Sequence, residues 1–215
     1  MPTQPYKIGT ERVPSVTTII NRFKNSGGLI HWANQQGLKG VTLDDARAEA
    51  TMPGTIAHQW VHDQARSLPL TAFAKAKDED VRRATVAFEA YLQWYEGNKI
   101  VIRYCEVALT SAKHRFGGTL DAIGVNHNGA HVLLDWKNAN AVYPDHLYQL
   151  AGYDILWSEN YPKVALNGGF HLCRFDKEHG DFSHHFYPSL EQEKTTFLTM
   201  RGLYDMVKLT EKRVR

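Results

Sequence analysis

The sequence predicts an α/β or α+β domain with a mixed central β-sheet flanked by helices. Three observations carry that expectation. Runs of strand composition at 100–110, 117–137, 164–175 and 182–187 are separated by turn residues; apolar residues recur at helical spacing over 81–96; and a helical stretch at 144–159 lies between strand runs, as a crossover connection requires. At 215 residues the chain reads as one domain, 1–215, able to bury roughly 70% of its unfolded surface. Within it, 1–98 is mainly helical, 99–188 is the sheet core, and 189–215 is a C-terminal helix.

Taken in order, residues 1–14 read as extended, and Ser15 can cap a helix to about 23 because its hydroxyl can accept an orphan backbone N–H. Asn25-Ser26-Gly27-Gly28 breaks that helix, and a second follows at 29–36 with Leu29, Trp32 and Ala33 at helical spacing, ended by Gly37 and Gly40. A third covers 43–51, with Asp44 and Asp45 suited to its first turn. Pro53-Gly54 reads as a break that aims His58 inward, after which 55–65 is helical with His58 and His62 on one face. Past the Pro69 loop and the charged stretch 75–80, the helix 81–96 carries Val86, Phe88, Tyr91, Leu92 and Tyr95 and stops at Gly97. Then come a strand at 100–110, a loop at 111–117 holding Lys113, His114 and Arg115, and two strands ending in Asp135-Trp136-Lys137. Pro144 can start a helix to about 159, 164–175 and 182–187 form a hairpin around 176–180, and a helix at 190–210 leads to Lys212, Arg213 and Arg215.

The two strands within 117–137 hold the chemistry. Asp121, Asp135 and Lys137 sit in otherwise apolar runs, where a buried charge is costly unless it is paired or binds a metal. A two-residue loop at Asn128-Gly129 would set 121 opposite 136 and place Asp121 on one face with Trp136. A three-residue loop, His127-Asn128-Gly129, puts Gly129 at the left-handed bulge position and pairs 126 with 130, hence 121 with 135. Lys137, two residues on, then shares the face of Asp135. Two carboxylates and an ammonium on one patch suit Mg²⁺ or Mn²⁺ with open positions for phosphate and water, which points to phosphodiester hydrolysis.

Asp121 followed by Asp135-Trp136-Lys137 resembles the signature of the PD-(D/E)XK nuclease superfamily. Gly54-Thr55-Ile56-Ala57-His58 upstream and Gln149-Leu150-Ala151-Gly152-Tyr153 downstream are similar to two accessory motifs of its RecB-like exonuclease branch. The stretch 13–20, VPSVTTII, looks like the opening of phage and mitochondrial genome-maintenance exonucleases of that type. The resemblance implies a restriction-endonuclease-like core behind an N-terminal helical segment. It implies metal ligation by His58, Asp121, Asp135 and the Trp136 carbonyl, help from Glu106, a catalytic Lys137, and strand guidance by Gln149 and Tyr153. The products would carry 5′-phosphate and 3′-hydroxyl ends. By the residues alone, Glu106 shares strand parity with Ile102, Tyr104 and Ala108 and so could lie on an exposed face. His62 reads as packing; a zinc pair with His58 lacks the HExxH glutamate, because position 59 is Gln59. Ser15, Arg22, Lys24, Trp32, Lys113, His114 and Arg115 are candidates for contacting DNA phosphates or bases.

A net charge of +2 calls for a local basic patch if the partner is DNA, with free or single-stranded ends, and the 43% hydrophobic fraction is ordinary for a globular chain. Cys105 and Cys173 read as buried thiols; two cysteines cannot supply the four that iron–sulfur relatives of the branch use. Without an apolar signal core or a run of about 18 apolar residues, the expected location is cytoplasmic. No phosphate-binding Gly-x-x-x-x-Gly-Lys-Ser/Thr loop is present to power translocation. A structure-specific endonuclease and an inactive nucleic-acid-binding protein are the competing readings.

Overall fold

The Asn126–Ala130 turn sets the register of the central hairpin. Asn126 and Ala130 pair through the Asn126 N–H and the Ala130 carbonyl at 2.9 Å, and the Asn126 side chain accepts from the Asn128 and Ala130 amides. Gly129 adopts φ +78°, which the three-residue loop demands and a side chain would resist. The structure, a computed structural model, describes residues 5–24, 27–176 and 180–214, without the side chains of 29 and 44–50. Expectations for Asn25, Ser26, Leu29, Asp44, Asp45, Arg215 and residues 177–179 of the 176–180 loop lie outside the described residues or side chains.

The chain runs β1 (Lys7–Ile8), β2 (Glu11–Arg12), α1 (Val16–Phe23), α2 (Gly27–Leu38), α3 (Leu43–Ala65), α4 (Asp78–Asn98), β3 (Val101–Ser111), β4 (Phe116–Val125), β5 (His131–Asn138), α5 (Pro144–Asn160), β6 (Phe170–Phe175), β7 (Phe182–Tyr187) and α6 (Glu191–Arg213). The sheet order is β3-β4-β5-β6-β7, with β5 and β6 parallel across α5 and the other neighbours antiparallel. This is the mixed sheet that the sequence predicts. One face packs Leu120, Ile123, Leu133 and Leu172 with Trp157 of α5, Val16 of α1 and Phe197 of α6. The other packs Ala122, Leu134, Trp136 and Phe175 with Ile56 of α3 and Tyr91 of α4. Among the described residues no helix is long and apolar enough to cross a membrane.

Ser15 caps α1 as expected, its hydroxyl accepting from the Thr18 amide at 3.0 Å. Several boundaries differ from the sequence reading: α2 holds Gly27, Gly28 and Gly37 inside it, and three others follow. No break occurs at Pro53-Gly54: α3 passes through Pro53 unbroken, and the Thr51 carbonyl two residues earlier takes the Thr55 hydroxyl at 2.8 Å and the Asn138 amide at 3.2 Å. β6 begins at Phe170 and not at 164, because the Trp157 indole holds the Val164 carbonyl at 2.7 Å and turns that segment against α5. Gly97 stays inside α4, which ends where Lys99 turns left-handed at φ +50°.

Candidate active site

The β4–β5 ladder runs from Val125↔His131 to Ala122↔Leu134 and stops there. Asp121 and Asp135 occupy the next step, as the three-residue turn requires, at the point where the strands part. There Asp121 Oδ2 accepts the Trp136 N–H at 2.9 Å, so a carboxylate takes the place of a ladder carbonyl. Across the same step of β3, Glu106 has φ +51°, costly for a residue with a side chain and found where surrounding structure enforces it. Face alternation fails at this step on both strands. Leu120 and Ile123, three apart, share one core, while Ala122 joins the other; on β3, Cys105 packs with the α3–α4 core and Val107 with the α5 core.

Asp135 is fully buried, and Lys137 Nζ lies 2.5 Å from its Oδ2. Lys137 is thus the cationic partner of one Asp135 oxygen, and the other, Oδ1, has no hydrogen-bond donor. Burial pushes the Asp135 carboxyl up to about 7; Lys137 opposes the rise and the neighbouring Asp121 adds to it. From the other side α3 brings His58, whose Nε2 is 3.2 Å from the Trp136 carbonyl oxygen. Burial holds His58 down to about 4, against the pull of Asp121, leaving a neutral imidazole able to ligate a metal. Gly54 makes that approach possible: a Cβ there would lie 2.1 Å from Asn138 Oδ1. From α5, the Tyr153 hydroxyl takes the Gln149 amide at 2.5 Å, and burial together with the charges of Asp121 and Asp135 raises its pKa well above the usual phenol value.

The structure thus brings together Asp121, Asp135, Lys137, His58, the Trp136 carbonyl and Tyr153. Glu106 stands one layer out, on Arg66 at 2.9 Å and 3.7 Å from His62 Nδ1; it is exposed, as strand parity allows, and its left-handed backbone at φ +51° sets it toward α3. His62 packs edge-on to Trp136 at 5.0 Å and beside His58 at 4.7 Å. Ser15, Arg22, Lys24, Lys113 and Arg115 are not gathered with this group. Ser15 is a helix cap, Arg22 pairs with Glu211, Lys24 with Asp145 at 2.9 Å, and Arg115 with Glu11, while the Lys113 amide donates to Glu159. Trp32 lies half-buried on α2, and the His114 carbonyl accepts from Arg201 at 3.0 Å. Among the described residues no three His, Cys, Asp or Glu side chains are placed close enough together to hold a metal ion by themselves.

No family model matches the chain, and no curated protein matches it in sequence. Among solved structures it is similar to a candidate exonuclease of Eubacterium rectale, with a TM-score of 0.48 and 10% identity over 70% of this chain, which spans 64% of that protein's length. It is also similar to the alkaline exonuclease LHK-Exo of Laribacter hongkongensis, with a TM-score of 0.32 and 12% identity over 78% of this chain and 91% of the other. The same enzyme bound to dAMP gives a TM-score of 0.33 at 11% identity, over 78% of this chain and 93% of that one.

Reading from residues alone could not find two supports of the site or one histidine pair away from it. Asn138 packs against the Gly54 turn of α3 and sets its distance from β5. Asp63, buried at 4% exposure, takes the Gln59 amide at 2.9 Å and the Thr71 N–H at 2.7 Å, fixing the chain after α3. His171 Nδ1 and His184 Nε2 meet at 2.9 Å at the far edge of the sheet, and burial holds both near 4. No local motif marks any of the three.

Proposed function

We propose that this chain is a metal-dependent deoxyribonuclease, an exonuclease of the RecB-like PD-(D/E)XK type that processes DNA of a phage or similar mobile genome. The observation that carries the reading is the buried Asp135 carboxylate beside Asp121 and Lys137, at the one step where β4 and β5 part. A buried carboxylate is costly unless cations share it, and Lys137 serves only one of the two Asp135 oxygens, leaving Oδ1 for a second cation.

The donor set suits Mg²⁺ or Mn²⁺. Hard carboxylate oxygens, a backbone carbonyl and a neutral imidazole are available, and Mg²⁺ characteristically takes one or two carboxylates and leaves its other positions to phosphate and water. Two ligands at right angles about an ion at about 2.1 Å stand about 3.0 Å apart, close to the 3.2 Å between His58 Nε2 and the Trp136 oxygen. Asp121, Asp135, His58 and the Trp136 carbonyl would hold the ion, with Glu106 acting through His62 or water. The ion would supply shielding of phosphate charge and a more acidic water.

Lys137 does the rest of the local work. Its ammonium, anchored on Asp135, orients the attacking water and steadies the charge that develops on the phosphate oxygens. Tyr153, kept protonated and braced by Gln149, borders the carboxylates on the α5 side and guides the strand past them. The test is digestion of end-labelled linear and circular single-stranded DNA in Mn²⁺. Loss of the linear substrate alone is expected and reveals polarity. Cutting of the circle would move the reading to a structure-specific endonuclease, and binding without cutting of either to a nucleic-acid-binding protein.

A further inference from the structure

A basic cleft lies at the opposite end of β4 from its β5 turn. Its walls are the β1–β2 arm, the turn between β3 and β4, and one face of α6. The cleft encloses about 530 Å³. Arg12, Arg115, Arg201, Lys208 and Lys212 line it against only two acidic residues, Glu11 and Asp205. Both acids are already paired, Glu11 with Arg115 and Asp205 with Arg201 at 2.6 Å. Arg12, Lys208 and Lys212 are exposed and have no carboxylate partner among the described residues. Lys208 and Lys212 are one turn apart on α6, with Tyr204 one turn before them, and Lys208 Nζ stands 5.7 Å from the Tyr204 ring centre.

The cleft is rigidly built. Arg201, 7% exposed, donates from Nε to the His114 carbonyl at 3.0 Å and from Nη2 to the Arg115 carbonyl at 2.9 Å. This clamp holds Arg115 in a left-handed conformation at φ +56°, which a residue with a side chain takes only when its surroundings enforce it. On the arm side, the Gly117 amide donates to the Pro14 carbonyl at 3.0 Å and Tyr6 Oη meets Thr119 Oγ1 at 2.7 Å. β4 therefore carries the cleft at its start and Asp121 farther along.

We infer that this cleft is a second anchoring site for the nucleic-acid phosphate backbone, resting on the nuclease reading and extending the substrate contact beyond the active site. Fixed guanidinium and ammonium groups beside a tyrosine ring match a sugar–phosphate chain and carry no base-reading geometry. From Phe116, next to Arg115, to Asp121 is five strand steps, roughly 17 Å at about 3.4 Å each. One duplex strand rises about 3.4 Å per phosphate, so a backbone engaging both sites spans about five phosphate steps. A tetranucleotide reaches only one of them.

Fluorescence anisotropy with a labelled 20-base-pair duplex in EDTA, over a series of salt concentrations, tests this with Lys208→Ala/Lys212→Ala. Both side chains are exposed, so the fold is untouched. The double variant is expected to bind roughly 10- to 30-fold more weakly near 0.15 M salt and to lose nearly two units of log–log salt slope. Its hydrolysis of a tetranucleotide in Mn²⁺ is expected to match wild type. Wild-type affinity and slope in the double variant would overturn the cleft. Should wild type bind the duplex, with the expected loss in the variant, yet hydrolyse nothing, the cleft stands and the nuclease reading fails.

Discussion

Asp135→Asn is expected to lower hydrolysis about 1,000-fold or more, the scale on which one electrostatic group in a water-poor site acts. The carboxylate is fully buried with Lys137 as its cationic partner, and burial disfavours its charged form. The pH dependence follows from the direction of its shift. A carboxyl whose folded pKa is raised, here to about 7, favours the folded state when protonated. Stability therefore falls as pH climbs from the unfolded value near 4 through about 7. Urea denaturation at pH 5 and pH 8 should show that decline in wild type and a flatter response in the variant. Activity within tenfold of wild type would remove Asp135 from the reaction.

Gly54→Ala is expected to lower activity about 100-fold through geometry alone, the scale of an ångström-sized misplacement of a catalytic group. The new methyl would overlap the Asn138 side chain, 2.1 Å from Oδ1 and 2.5 Å from Cγ, at the point where α3 crosses β5. Relief by moving α3 outward takes His58 from the Trp136 carbonyl; relief by turning Asn138 breaks its bonds to Thr51 and Thr55. Adding Asn138→Ala empties the space, so the double variant should recover most of the lost activity. Non-additivity of this sign is the signature of a direct steric contact. If the two losses simply add, Gly54 acts by another route.

The register that sets Asp121 opposite Asp135 was legible because a turn is local: five residues, one of them a glycine with positive φ, decide a pairing that carries along the whole hairpin. The crossover helix was legible for the same reason, through Pro144 and its apolar spacing. The exposure of Glu106 was legible from strand parity; its partners Arg66 and His62 were not, because φ +51° breaks the alternation that would say which side of the sheet it faces. Nor was the continuity of α3, since Pro53-Gly54 is a local helix-breaking signal that the helix nevertheless runs through. The basic residues flanking the motifs in sequence disperse onto separate ion pairs, while the cleft on α6 gathers cations that lie far apart along the chain.

The most direct test of a metal-dependent hydrolase at Asp121 and Asp135 is digestion of end-labelled linear DNA by wild type and Lys137→Ala. Each is assayed in EDTA and after Mg²⁺ or Mn²⁺ is restored. Hydrolysis absent in EDTA, restored by either ion in wild type and absent throughout in the variant is the predicted result. Hydrolysis that persists in EDTA, or that survives in Lys137→Ala at the wild-type rate, would contradict it.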